Sequence, residues 1–287
     1  MNRVLTPDAA FAHVFGDAKS VGEIKAIHAS LTNRSYLVER DGQRLVLRLD
    51  TEHTASLGLD RDTELAVHRA ASAAGIAPRV YFADPAAGIL VSEYLTGRTP
   101  DVQELANPPM LEAVADVLRK VHALPECGKP FAATTSAARY AELVRPDREL
   151  YAFAKQCVES IAAIPADGRS RCCHNDIVAG NVIVDPTGNG AVRLIDWEYA
   201  CDNEPMFDLA SLIGYHDLPA GPAEILLNAY TGGANSEDRE RLALQLRLFD
   251  LLQWLWLAAQ QLLAPKPQQL ERLVDLRQRI DLHRRRA

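Results

Sequence analysis

The chain is short of several things that would direct its function elsewhere. Positive charge is in deficit: 38 aspartates and glutamates outnumber 31 lysines and arginines, a net charge of −7. A general nucleic-acid binder would carry a basic face, so that class is set aside, while a cationic small molecule is electrostatically welcome. The five cysteines, Cys127, Cys157, Cys172, Cys173 and Cys201, are odd in number and contain no CxxC pair. That argues against a disulfide framework and for reduced, buried thiols in an intracellular protein. Adjacent Cys172 and Cys173 cannot readily serve one tetrahedral site with His174, and no second ligand pair stands at zinc spacing. No stretch approaches the roughly 20 apolar residues of a membrane-spanning helix. The opening Met1 to Pro7 is not followed by an uninterrupted apolar run of the kind a signal peptide needs. Repeats and low-complexity tracts are also missing. The expectation is a cytoplasmic protein without nucleic-acid or membrane partners, its oligomeric state left open.

What is present is centred on His174-Asn175-Asp176-Ile177-Val178-Ala179-Gly180-Asn181, followed after two apolar strand-like runs by Asp196-Trp197-Glu198-Tyr199. One carboxylate and one carboxamide share a loop, and a second carboxylate ends the next strand. Phosphoryl transfer needs this equipment: a group to orient the attacking hydroxyl and take its proton, and oxygen ligands to hold Mg²⁺ against the phosphates. Asp176 suits the first role; Asn181 and Asp196 suit the second. The turn Asp185-Pro186-Thr187-Gly188-Asn189-Gly190 implies a hairpin that returns Asp196 to Asn181. The spacing fits the kinase pattern of His-x-Asp, four residues, Asn, then a metal Asp. Asn175 replaces the protein-kinase Arg, and Trp197-Glu198 replaces Phe-Gly. Bland alternatives exist, since Asp and Asn are favoured turn residues.

These departures point to small-molecule kinases. His174 to Asn181, Leu194 to Ala200 and Phe207-Asp208-Leu209-Ala210 resemble the choline/ethanolamine kinase family. They are also similar to bacterial thiamine kinase and, more distantly, to aminoglycoside phosphotransferases. The resemblance runs from about Leu31 to Leu263. It implies a two-lobed, protein-kinase-like α+β fold, with a small antiparallel-sheet nucleotide lobe (1–95) and a mainly helical catalytic and acceptor lobe (96–287). ATP and Mg²⁺ are the implied cofactors, a small cationic alcohol the implied acceptor, and Asp208 a brace for the catalytic loop.

Along the chain, Glu23 to Ala29, Ser35 to Arg40 and Gln43 to Leu49 read as three antiparallel strands, with Asp41-Gly42 a strong hairpin signal. The first connection, Ser30 to Arg34, would lie over the phosphates but contains no glycine; Thr32 and Asn33 would offer polar side chains instead. Arg48 stands where kinases place a lysine on the third strand, and its fork suits phosphate oxygens. Glu64, on a helix expected over Asp60 to Ala74, is its candidate partner. Strands at Arg79 to Ala83 and Ile89 to Ser92 lead to Glu93-Tyr94-Leu95, where a kinase-like hinge would offer Glu93 and Leu95 backbone groups to adenine. His68 is expected to be packed rather than catalytic.

Beyond the hinge, a helix starts at Asn107-Pro108-Pro109. An amphipathic stretch over about Ser136 to Ile164 is interrupted near Pro146. Both read as scaffold. Glu198 faces either Mg²⁺ or the acceptor, or forms a surface pair. Aromatic faces attract quaternary ammonium groups, which makes Tyr199, Trp254 and Trp256 acceptor candidates, with Tyr215 a weaker one. Trp254 and Trp256 are two apart on a helix, so at most one faces the acceptor. The terminal Arg277, Arg279, Arg284, Arg285 and Arg286 read as a solvated helix end. The resemblance makes choline or ethanolamine the expected acceptor; thiamine, an aminoglycoside and a non-catalytic nucleotide-binding role remain as competing readings.

Overall fold

The computed structural model describes residues 5–16, 24–165, 168–186 and 191–286. The N-terminal part holds α1 (Pro7–Phe15) and one antiparallel sheet of β1 (Ile24–Ala29), β2 (Asn33–Arg40), β3 (Gln43–Asp50), β4 (Val80–Asp84) and β5 (Ile89–Glu93). The sheet order is β1-β2-β3-β5-β4, and α2 (Thr54–Leu57) and α3 (Arg61–Ala73) lie between β3 and β4 in the chain. Glu23, the expected start of the first strand, falls outside the described residues. Arg40 pairs with Gln43 across Asp41 and Gly42, both at positive φ (50° and 75°), as a tight type I′ hairpin requires.

Alternation in β3 decides where its charges go. Leu45, Leu47 and Leu49 are buried on one face, packed with Val38, Ile89, Val91 and the α1 residues Ala10 and Phe11. The side-chain period of two then puts Arg48 and Asp50 on the opposite face, where α3 carries Arg61 and Glu64. Asp60 caps α3 by accepting from the backbone amides of Asp62 (3.1 Å) and Thr63 (3.0 Å). This fixes the first turn and the aim of both side chains.

The C-terminal part is mainly helical. It contains α4 (Val102–Leu105), α5 (Pro108–His122), α6 (Ala133–Leu143), α7 (Arg148–Ala162), α8 (Met206–His216), α9 (Ala220–Thr231), α10 (Ser236–Leu263) and α11 (Leu270–Arg286). Two small ladders sit among them: β6 (Arg171–Cys173) pairs β9 (Cys201–Asn203), and β7 (Val182–Val184) pairs β8 (Val192–Leu194). The stretch interrupted at Pro146 is α6 and α7, and Asp147 caps the second by accepting from Glu149 and Leu150 amides. Sequence reading produced no element for β9, α8 or α9. Helix α8 is buried from Met206 to Gly214, so it lacks the amphipathic period that marks a surface helix.

Two expectations are corrected here. By length and composition α10 passes the test for a membrane span, and 61% of its most apolar window is buried inside the protein against neighbouring helices. Of the C-terminal arginines, the side chains of Arg285 and Arg286 lie outside the described residues, and Arg277, Arg279 and Arg284 are not simply solvated. Arg277 pairs with Glu149 at 2.9 Å, Arg279 with Asp250 at 2.8 Å, and Arg284 with Gln156, tying α11 onto α7 and α10.

The segment after β5 crosses β7 closely, with Val184 N donating to Arg98 O at 2.9 Å. A Cβ on Gly97 would stand 2.5 Å from Val184 O and 2.6 Å from Ile183 Cγ2. Gly97→Ala should therefore destabilise by about 1–3 kcal/mol, the range for overpacking. Gly221→Ala, with open space around it in α9, should be neutral or stabilising; paired thermal unfolding curves check both.

Candidate active site

The loop after β6 is held from behind by α8. Asp208, fully buried, accepts from the backbone amides of His174 (3.0 Å) and Asn175 (2.6 Å). Burial alone would raise its pKa, but His122, with Nε2 2.9 Å from Oδ2, overrides this and holds the carboxyl below its ordinary range. His122 Nδ1 in turn lies 2.8 Å from the Tyr230 hydroxyl. Ser211 Oγ accepts from Ile177 N at 2.9 Å, and His216 Nε2 accepts from Ala179 N at 2.8 Å. Accepting that bond requires neutral imidazole, and burial lowers the His216 pKa to about 4. The loop is thus pinned at four backbone amides.

Asn175 occupies the left-handed region at φ 64°, a conformation asparagine tolerates better than most residues. Its Nδ2 donates to Tyr199 O at 3.0 Å, and its Oδ1 accepts from Asn203 Nδ2 at 2.7 Å. Where protein kinases carry arginine, this residue stitches the loop to the segment after β8. His174 is buried, its Nε2 3.0 Å from Ile195 O.

The register Val182↔Leu194, extended by Ile195 N donating to Asn181 O at 3.0 Å, brings Asn181 beside Asp196. Asn181 Nδ2 donates to both the carbonyl and Oδ2 of Asp176, each at 3.0 Å. That commits the nitrogen end of the amide and leaves Oδ1 as the end able to ligate a cation. Asp176 is pushed up to about 7 by burial, then by Glu198, with Asn181 opposing. Asp196, also left-handed at φ 64°, is raised well above its usual range by burial and Glu198 despite Arg48 Nη1 at 3.5 Å. Sunken carboxylates with this little compensation, beside a carboxamide oxygen, fit a hard divalent cation such as Mg²⁺. The other ligand-like group among the described residues, His122, Cys173 and Asp208, spends its atoms on hydrogen bonds to Tyr230, Asn203 O and the loop amides.

From the sheet side, Arg48 grips Glu64 with both arms, Nη1 to Oε1 and Nη2 to Oε2 at 2.8 Å. Burial would raise the Glu64 pKa, but Arg48 and then Arg61 bring it down to about 2. Thr32 and Asn33 are buried, and both reach across to Glu198: Thr32 Oγ1 donates to Oε1 at 2.7 Å and Asn33 Nδ2 to Oε2 at 3.1 Å. Glu93 ends β5 opposite Leu45, its carboxylate accepting from Arg79 N at 3.2 Å, and Leu95 is buried two residues on.

The aromatic candidates separate. Trp256 Nε1 donates to the Tyr199 hydroxyl at 3.2 Å, whereas Trp254 is a core residue, edge-on to Phe153 at 4.5 Å. Sequence reading gave Tyr140 of α6 no chemistry. It is buried, and its phenol is pushed up to about 12 by burial first, with Glu198 and Asp176 adding to the rise. His122, Ser211, His216 and Asp50 were also missed, as was Arg61, although Arg61 stands three residues before Glu64 on one helix face. His68 is buried as expected, Nε2 3.0 Å from Pro78 O. All five thiols are free and four are buried.

A small antiparallel sheet over a helical part, with this loop between them, is the architecture of a protein-kinase-like phosphotransferase. The chain belongs to the phosphotransferase enzyme family (APH), whose profile matches residues 23–245. It is 26% identical over 214 residues to protein LicA of Haemophilus influenzae, covering 71% of this chain and 62% of that protein. It is 26% identical over 216 residues to an Escherichia coli thiamine kinase, covering 74% and 72%. In structure it is similar to choline kinase LicA from Streptococcus pneumoniae (TM-score 0.74, 22% identity, 94% of each chain). LicA in complex with AMP gives a TM-score of 0.74 at 21% identity, covering 95% of this chain and 94% of that one.

The Glu64 carboxyl gives a pH test. Its folded pKa of about 2 lies below the 4.5 of the free side chain, so it stabilises above pH 4.5 and loses that contribution as pH falls toward 2, roughly 3 kcal/mol in all. Denaturant curves should show the largest gap between wild type and Glu64→Gln above pH 4.5, closing toward pH 2.

Proposed function

We propose that this phosphotransferase moves the γ-phosphoryl group of ATP to the hydroxyl of a small cationic alcohol, choline or ethanolamine. The observation that carries this reading is the meeting of two half-sunken carboxyl groups, Asp176 and Asp196, with the hydrogen-bonded pair Tyr199 and Trp256. Negative charge and aromatic faces together recognise an organic cation. The choline kinase and thiamine kinase relatives support a small-molecule acceptor.

In this reading Asp176 orients the acceptor hydroxyl and takes its proton as the new O–P bond forms, the bond from Pγ to the bridging oxygen breaks and ADP leaves. Asn181 and Asp196 hold Mg²⁺, which neutralises charge on the phosphates when bound. Arg48, steadied by Glu64, binds phosphate oxygens. Thr32 and Asn33 lie over the phosphates, and the Glu93 and Leu95 backbone takes the adenine edge. The nucleotide lobe is 1–95 and the acceptor lobe 96–287. Trp256 and Tyr199 are the aromatic contacts, and Trp254 serves packing. The protein acts in the cytoplasm.

Thiamine is the second acceptor, favoured by the thiamine kinase relatives and by the stacking of its thiazolium cation on the same aromatics. ADP release from MgATP across choline, ethanolamine, thiamine and an aminoglycoside tests both. One cationic acceptor should give turnover, and Asp176→Ala should lose about 10²–10⁴-fold in kcat with MgATP binding retained. Turnover with the aminoglycoside alone would reject the cationic-alcohol reading. MgATP binding without turnover on any acceptor would favour a non-catalytic role.

A further inference from the structure

Resting on the MgATP reading above, we infer that Arg61 is a positioning residue for phosphoryl transfer, a guanidinium that sets both the phosphate-binding arginine and the Glu198 carboxylate without touching substrate. Its contacts come from three separate elements. Nε donates to Asp50 Oδ1 at the end of β3 at 3.0 Å, and Nη2 stands 2.8 Å from the same oxygen. Nη1 donates to Glu64 Oε2 on α3 at 2.7 Å and to Glu198 Oε2 after β8 at 3.2 Å. Nε and Nη1 donate to protein carboxylates, Nη2 lies against Asp50 Oδ1 without completing a hydrogen bond, and the side chain is only 9% exposed, so its donors are turned to the protein rather than to phosphate. Arg48 differs, because beyond Glu64 it faces Asp196 and the cleft.

Charge explains why a cation is needed at this point. Glu64, Asp176, Asp196 and Glu198 crowd one region, and each buried anion raises the cost of ionising the next. Arg61 bonds two of them at once, Glu64 and Glu198, and fixes their separation. Glu64 then stays aimed at Arg48, and Glu198 stays drawn to the sheet side with Thr32 and Asn33. Lysine could not reproduce this, since three carboxylates at set angles call for a planar fork rather than a point charge.

The test is calorimetric binding of a non-hydrolysable ATP analogue over a range of Mg²⁺ concentrations, beside acceptor kinetics, for wild type, Arg61→Ala, Arg61→Lys and Asp50→Asn. Arg61→Ala should weaken Mg-nucleotide affinity by about 10–100-fold, the usual effect of losing an outer-shell partner, and move the Mg²⁺ midpoint upward. Its acceptor KM should change less than about twofold, and millimolar guanidinium should restore part of the affinity. Arg61→Lys should fall between. Asp50→Asn loosens the anchor while keeping the Arg61 cation, so it should shift affinity the same way by a smaller factor. This keeps the inference testable if Arg61→Ala fails to fold. Wild-type affinity in folded Arg61→Ala, or in Asp50→Asn should the alanine variant not fold, overturns the inference, as does an acceptor KM that rises as much as the nucleotide term. Failure of the wild type itself to bind the Mg-nucleotide would instead overturn the kinase reading.

Discussion

The structure depends on the burial of negative charge between the sheet and the helices. Asp176, Asp196, Glu198 and Glu64 converge there, answered by Arg48 and Arg61. Isolated ions at such depth would neutralise rather than remain charged. Glu64, held by two guanidiniums, stays ionised down to about pH 2, whereas Asp176 and Asp196, with less help, are pushed upward. That imbalance on the helical side is what makes the cleft a fitting place for a divalent cation, and an unfitting one for an anion that arrives without one.

Holding those groups in place requires a rigid support, and α8 supplies it. A helix buried along most of its length turns Asp208, Ser211 and His216 toward one loop and fixes that loop through backbone amides. Because the bonds go to main chain, the side chains of the loop remain available for chemistry. Asn175 adds a second seam, joining the loop to the segment that carries Glu198 and Tyr199. Both Asn175 and Asp196 sit at positive φ, strain of the kind that persists only where the surroundings over-determine the backbone.

Much of this was legible in the sequence because it is local. The Asp-Gly hairpin, the period-two alternation of β3 and the spacing from Asp176 to Asn181 each lie within a few residues, and the structure has the corresponding turn, sheet face and loop. The illegible parts are long-range or lack periodicity. Helix α8 is buried on nearly all sides from Met206 to Gly214, so no amphipathic pattern announces it. The His122 bridge to Asp208 joins residues 86 apart, and Tyr140 approaches the acidic cluster from a helix that reads as scaffold. The aromatic pair was half-legible: spacing says that Trp254 and Trp256 diverge, and only packing says which one meets Tyr199. Arg277, Arg279 and Arg284 read as solvated because their partners, Glu149, Asp250 and Gln156, lie far away in sequence.

The most direct measurement is a crystal structure of the wild-type protein with Mg²⁺ and a non-hydrolysable ATP analogue. The account predicts the metal at about 2.1 Å from Asn181 Oδ1 and an Asp196 oxygen, with Arg48 on the phosphates and the γ-phosphoryl facing Asp176. A nucleotide bound elsewhere, or a metal seated without Asn181 and Asp196, would contradict it.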